Sequence, residues 1–388
     1  MTNTDYANVV DAFLLAYSVM YLLGGRLVDR IGTRLGMALS VTWWSVAECL
    51  HSIVNSVLQL GISRSLLATG EATEIPGAEK LIAEVFPPPQ RPLAISFFML
   101  GSMVGATIAP PVAVGLAKLH GWRFVFLSTG QLGFVWTAVW ILVTRPTRSQ
   151  APREASENDS AQPTEGATKT SGNTQNELKA MPLSFHVLLA NRITWGILVA
   201  RVFLDSSWYF YLFWIAEFLK KEKGFSLQLI GSLGWIPFLC ADMGVIVGGA
   251  TVSVLQSQGW TPDRAHKTVM FAGIVFLFSP LVLANTAGKS LAILWISASV
   301  FGIQVMGTNI HAIPTQVFHA KSVGTVEGLA GACGSIGGVL LTKLIGYMTD
   351  HYGSYSLILE IMGTIFPLMI FASILLLGKI RPVTARPT

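Results

Sequence analysis

The sequence predicts an all-α integral membrane protein built as two helical bundles, and three observations carry that prediction. Of 388 residues, 52% are hydrophobic and only 12% are Asp, Glu, Lys or Arg, and the mean hydropathy is +0.57. A soluble globular chain carries about 25% charged residues, so half that share could not cover a soluble surface. Eleven apolar runs reach the roughly 20 residues that a helix needs to cross a bilayer. One long polar segment then divides five of these runs from six. The composition excludes disordered, collagenous and disulfide-stapled chains. Cys49, Cys240 and Cys333 lie in apolar runs without CxxC spacing and read as small buried hydrophobes, so no metal or cofactor is expected. The net charge of +5 comes with no basic stripe, which argues against a nucleic-acid partner.

The N-terminal bundle, residues 1–144, holds runs at 6–28, 36–56, 58–83, 91–117 and 123–144. No cleavable leader is expected, because Asp5 and Asp11 flank the first run and no basic stretch precedes it. That run carries Tyr17, with Tyr21 one turn on, as hydroxyl donors for a solute or as packing groups. It leads into Gly25-Arg26-Leu27-Val28-Asp29-Arg30-Ile31-Gly32-Thr33-Arg34. Gly25 and Gly32 permit close approach and a tight turn. Asp29 can accept from helix N-terminal amides or from a basic partner, a latch that Arg30 and Arg34 flank.

The third run reads SRSLLATGEATEIPGAEK. Arg64 and Glu71 are seven residues apart, two turns along one face, and Glu74 follows three later. Ionisable groups in hydrocarbon cost about 2.5–3.5 kcal/mol each on insertion scales, so each is a functional-site hypothesis. An embedded carboxylate can be neutral or charged as its neighbours change, which suits Glu71 to proton coupling. Glu74 and Glu79, nearer the end, also read as solvated or structural, and Pro76 is expected to kink the run. The fourth run contains the glycine-rich GSMVGATIAPP.

Residues 145–190 are rich in Ser, Thr, Pro, Gly and mixed charge, the composition of a flexible linker. The C-terminal bundle, 191–388, holds runs at 193–219, 228–254, 268–287, 290–316, 323–348 and 354–378. The first of these, ARVFLDSSWYFYLFWIAEFL, places Arg201 and Asp205 at i,i+4, with Trp208 and Tyr209 a turn later. The stripe reads as aromatic walls for a sugar ring or as core packing, and the pair as a structural ion pair. FGIQVMGTNIHAIP carries Gln304 and Asn309, whose amides can recognise hydroxyls or carboxylates, and His311, a titrating or an internally satisfied histidine.

Alternating the loops puts sixteen Lys and Arg on one side and six on the other. The richer side should be cytoplasmic, which places the linker and the C-terminus there and the N-terminus outside. The halves also echo each other. Val85-Phe86 followed by a glycine-rich helix recurs 232 residues later as Val317-Phe318 and GLAGACGSIGG, and Gly24-Gly25 is matched by Gly248-Gly249. Two such halves around a central site are the plan of secondary transporters.

The Gly25–Arg34 segment resembles the inter-helix signature of the major facilitator superfamily, GxxxD(R/K)xGx(R/K)(R/K), departing only at Leu35; GYMTDHYG at 346–353 is a degenerate counterpart. AFLLAYSVMYLLGGRLVDRIGTRLG, GEA-x-x-x-P, GSMVGATIAPP, WYFYLFWIAEFL, KGFSLQLIGSLGWIPFLCAD and the GSY of 353–355 are together similar to the hexuronate-transporter group of its anion:cation symporters. The likeness runs from about residue 5 to 378. It implies uptake of sugar acids such as hexuronates or aldonates, driven by protons or sodium, with Glu71 as coupling residue. Tyr17, Tyr209, Trp208, Gln304 and Asn309 are then expected in the substrate cavity. It also implies a twelfth helix, ahead of the eleven seen, bearing an arginine for the substrate carboxylate. Ser102 stands where the family has a larger polar residue, and Glu74 where it has a neutral one. The expected protein is a monomeric bacterial inner-membrane symporter. A drug:proton antiporter and a non-transporting solute sensor are the rival readings, and an enzyme is disfavoured because no HExxH or GxSxG motif occurs.

Overall fold

The computed structural model describes residues 3–144 and 185–382, and every regular element among them is helical. Helices α1 (Asn3–Ile31) and α2 (Thr33–Leu50) meet at Gly32, whose φ of 84° is a conformation that side chains resist. Most of the Gly25–Arg34 segment is therefore helix, and the turn is confined to one residue. The third predicted span is two helices, α3 (Val57–Glu71) and α4 (Glu74–Val85). The break falls at Ala72–Thr73, a turn before Pro76, because a proline nitrogen cannot donate to the carbonyl four residues back and its ring crowds that carbonyl. Helices α5 (Arg91–His120) and α6 (Trp122–Val143) complete this half.

The predicted linker lies outside the described residues as far as position 184, and its last six residues form α7 (Phe185–Ala190) instead. Next comes α8 (Arg192–Lys221). The seventh predicted span divides into α9 (Leu227–Leu233) and α10 (Ile236–Ser257). The eighth divides into α11 (Pro262–Ile274) and α12 (Ser279–Ala284). Pro237 and Pro280 each sit in the first turn of the helix after the break, where a missing N–H costs nothing. Helices α13 (Lys289–Val317), α14 (Ala320–Tyr352) and α15 (Ser356–Leu377) are long and unbroken.

Among the described residues, eight segments are long and apolar enough to cross a membrane, including Asn8–Ile31, Trp122–Val143 and Ser356–Leu377. The other three expected spans are α2, the α3–α4 pair and α8. The last two carry Arg64, Glu71, Glu74, Arg201 and Asp205, which lower their hydropathy because they face the interior rather than lipid. Apolar side chains exposed on α5 and α6, such as Val104, Ile108, Leu132 and Val139, suit a hydrocarbon surround.

The two bundles meet chiefly where α1 lies on α14 and α5 lies on α10. At the first contact, a Cβ on Gly25 would run into the carbonyl of Gly324, and one on Gly328 into the carbonyl of Tyr21. At the second, a Cβ on Gly249 would run into Ser96 and the carbonyl of Pro92. Gly25 and Gly249 are corresponding members of the Gly-Gly pairs that echo between the halves.

Candidate functional site

A cavity of about 770 Å³ opens between the bundles. It runs from Glu79 and Arg201, near mid-chain depth, toward the end that carries Val9, Leu60 and Trp122. Helix α1 contributes Tyr17, stacked on Phe13 at 5.2 Å between centroids and edge-on to Tyr21 at 4.7 Å. The break between α3 and α4 sets Glu71 on the last residue of one helix and Glu74 on the first of the next, both half-buried in the cavity wall. Arg64 lines the same wall two turns earlier. Helix α8 supplies Asp205, Trp208 and Tyr209, and α13 supplies Gln304, Gly307 and His311. Ser102 of α5 is also at the wall. Four carboxylates (Glu71, Glu74, Glu79 and Asp205), two guanidiniums (Arg64 and Arg201), several hydroxyls and flat aromatic faces thus surround one space, a set that can meet a polyhydroxylated anion when carboxylates of the wall are protonated or paired.

Asn309 does not join them. The wall takes residues 304, 307 and 311 of α13, and Asn309 points away from that stripe. Its Nδ2 donates to the Val305 carbonyl (2.8 Å), and its Oδ1 faces Nδ1 of the fully buried His266 at 2.9 Å. The sequence expectation for Asn309 is corrected accordingly: it braces α13 against α11.

Beyond the cavity floor the bundles are closed together at the Gly32 end. Asp29 Oδ2 accepts from both the amide (2.7 Å) and the hydroxyl (2.6 Å) of Thr325, across the bundle interface. Lys80, 3% exposed, lies 3.4 Å from Asp29 Oδ1 and donates to the Val28 carbonyl at 2.8 Å. Gln316 donates to the Pro88 carbonyl at 2.9 Å, and Arg91 donates to the Thr315 carbonyl. Arg34 instead ties α2 to α6 through Thr144 and the Ile141 carbonyl, both at 3.2 Å, while Arg30 is exposed.

Four further groups matter: Arg201 and His311, which the sequence offered as secondary candidates, Glu79, which it read as solvated or structural, and Glu327, which it passed over. Glu79, Glu327, His311 and Arg201 form one buried cluster: His311 Nδ1 is 2.5 Å from Glu79 Oε1 and 3.4 Å from Glu327 Oε2. Arg201 is bonded to Asp205 at 2.9 Å and lies against the His311 ring. Ligand atoms of Glu79, His311 and Glu327 lie within 4.8 Å of one another, a spacing that could hold a cation. The signal for Glu327 was present, since a lone carboxylate in an apolar run is the criterion that picked out Glu71.

The major facilitator superfamily model matches residues 1–342. The chain belongs to the major facilitator superfamily. As a member it is a multi-pass membrane protein and not an enzyme. It is similar to the hexuronate transporter of Escherichia coli (strain K12), 28% identical over 357 residues, covering 91% of this chain and 81% of that protein. It is 30% identical over 256 residues to the galacturonate transporter of Dickeya chrysanthemi, covering 66% of this chain and 72% of the relative. Among solved structures, the superfamily's proton:xylose symporter bound to 6-bromo-6-deoxy-D-glucose superposes with a TM-score of 0.73 at 15% identity, over 96% of this chain and 85% of the symporter. That likeness supports the fold alone.

Proposed function

We propose that the protein carries a small sugar acid, a hexuronate or aldonate, inward across the bacterial inner membrane together with protons. The observation that carries this reading is the cavity itself: Arg64 and Glu71 line it together with the aromatic side chains of Trp208 and Tyr209. Arg64 is the cation for the substrate carboxylate. Tyr17, Tyr209 and Gln304 meet hydroxyls, and Trp208 offers a ring face. A proton on Glu71 removes a negative charge from the wall and so favours the anion. The bound anion in turn favours the proton, as reciprocal linkage requires. The Gly32 end, with the linker and C-terminus, faces the cytoplasm, so the described conformation opens outward. Asp29, Thr325 and Lys80 form the latch that parts when the monomer opens inward. The hexuronate and galacturonate names of the relatives support the substrate class.

The test is uptake of radiolabelled glucuronate by proteoliposomes under an imposed inward proton gradient. Accumulation that collapses when the gradient is removed is expected. A gradient-driven efflux instead would mark a drug-type antiporter, a response to sodium alone would reassign the driving ion, and binding without flux would mark a sensor. Glu71→Gln is expected to abolish proton-driven accumulation while retaining counterflow of labelled against unlabelled solute. Unchanged pH-driven accumulation in that variant would remove Glu71 from the coupling role.

A further inference from the structure

We propose that Glu79, His311 and Glu327 form a second proton-binding station, separate from Glu71, which the two bundles build jointly and which is complete only while they are closed at the Gly32 end. The inference rests on the symport reading above, and its test needs no solute.

The first argument is charge. Glu79 (1% exposed), Glu327 (1%) and Asp205 set three carboxylates around a single permanent cation, Arg201 (3%). Three against one leaves an excess of two negative charges, which a buried site does not hold uncompensated. Glu79 Oε2 and both oxygens of Glu327 are moreover buried without a hydrogen-bond partner among the described residues. Protons supply what is missing. His311 is the side chain whose ordinary titration lies nearest neutrality, and its Nδ1 faces a carboxylate oxygen on either side. A divalent cation would suit the spacing, but Arg201 Nη1 already lies against both ring nitrogens and 3.7 Å from Glu327. The Tyr21 phenol of α1, the Tyr209 phenol of α8 and the Cys333 thiol of α14 also lie within electrostatic reach of Arg201 and Asp205.

The second argument is placement. Glu79 lies on α4 of one bundle, and His311 and Glu327 on α13 and α14 of the other. Glu79 and His311 are 232 residues apart, the offset that relates Val85-Phe86 to Val317-Phe318. The two groups therefore hold corresponding positions in the repeats and meet between them. Glu79, Arg201 and His311 form the floor of the open cavity, with the Asp29–Thr325 closure beyond. Protons reach the station from the cavity side. When the bundles part at the Gly32 end, Glu79 leaves His311 and Glu327, and the proton faces the other solvent.

The sign follows. Closure adds Glu79 to a cluster in which Glu327 and Asp205 already outnumber Arg201, so the closed form buries one more negative charge than the parted one, and that added charge favours bound protons. The closed form binds more protons than the parted one, so acid favours closure at the Gly32 end and alkali favours parting. Full-length protein in nanodiscs, spin-labelled at the Gly32 end of each bundle, would report this as a distance distribution against pH with no solute present. Wild type is expected to shift toward longer distances as pH rises. Glu71→Gln should keep that response, whereas Glu79→Gln and His311→Gln should each move its midpoint by about one pH unit or more, or abolish it. A midpoint unchanged in both variants would overturn the station. Because either variant could misfold, unmodified protein and Glu71→Gln would also be compared by pH-difference infrared spectroscopy. A protonated-carboxyl stretch that persists in Glu71→Gln and also when Glu74→Gln is added to it supports the station, and its absence there overturns it. Failed glucuronate uptake would leave these readouts standing, while a pH-independent closure would sink the station and leave Glu71 coupling untouched.

Discussion

Arg64 and Arg201 are both guanidiniums within the span of the bundle, yet their surroundings assign them opposite work. Arg201 is 3% exposed and tied to Asp205 and Glu327. Arg64 is half-buried in the cavity wall, and no carboxylate of the described residues lies within ion-pair distance of it. Removing one partner of a buried pair costs about 3–5 kcal/mol, because the other charge is stranded. Arg201→Gln is therefore expected to lower the melting temperature of the purified protein. Arg64→Gln should leave it unchanged and raise the KM for the sugar acid by about tenfold or more, since a charge-assisted hydrogen bond contributes about 1.5–3 kcal/mol. Arg64→Lys should recover part of that loss. Equal melting shifts in the two glutamine variants would contradict the division. Residue-level legibility was uneven for a physical reason. Charges inside apolar runs announce themselves, so Arg64, Glu71 and Arg201 stood out. Whether Asn309 faces the cavity or its own bundle depends on the rotation of α13, which a run apolar on most sides does not reveal.

At the scale of elements, α14 shows how composition sets packing. Its glycines admit α1 on one side and α8 on the other: a Cβ on Gly328 would meet Tyr21, on Gly334 Asp205, and on Gly338 the ring of Tyr209. A leucine at position 328 would wedge α1 from α14, and overpacking of this kind costs about 1–3 kcal/mol, roughly 5- to 150-fold in the closed population. In a Thr325→Cys background, Gly328→Leu is expected to speed labelling by a hydrophilic maleimide by that factor; an unchanged rate would show that the contact does not hold the closure. The helices themselves were readable from length and hydropathy. Their interruptions were less so, because a proline breaks the ladder a turn ahead of itself and the run of apolar residues continues across the gap.

At the scale of the molecule, the sequence echo has a structural counterpart. The α1–α14 and α5–α10 contacts are counterparts of each other, since α1 corresponds to α10 and α5 to α14, and the 232-residue offset also relates Glu79 to His311. That the two correspond could have been found from the offset, whereas their meeting, and the contact of Glu327 and Arg201 with them, could not, since an offset does not say which residues lie near the axis between the halves. Orientation is a further molecular property, and it rests on the distribution of basic residues. A reporter enzyme that is active only in the cytoplasm, fused after Thr388, is expected to be active, and one fused at the α5–α6 turn at Gly121 inactive. The reverse pattern would put the Gly32 end outside and open the described cavity to the cytoplasm.

The glycine contacts carry one more consequence. Where main chain touches main chain, as at Gly25 with Gly324, there are no rotamers to reset when the surfaces separate and rejoin. Such a seam can unseal and reseal without kneading bulky groups into new positions. Under the proposed transport cycle its tempo would follow the few polar stitches laid across it, foremost the carboxylate of Asp29 on Thr325.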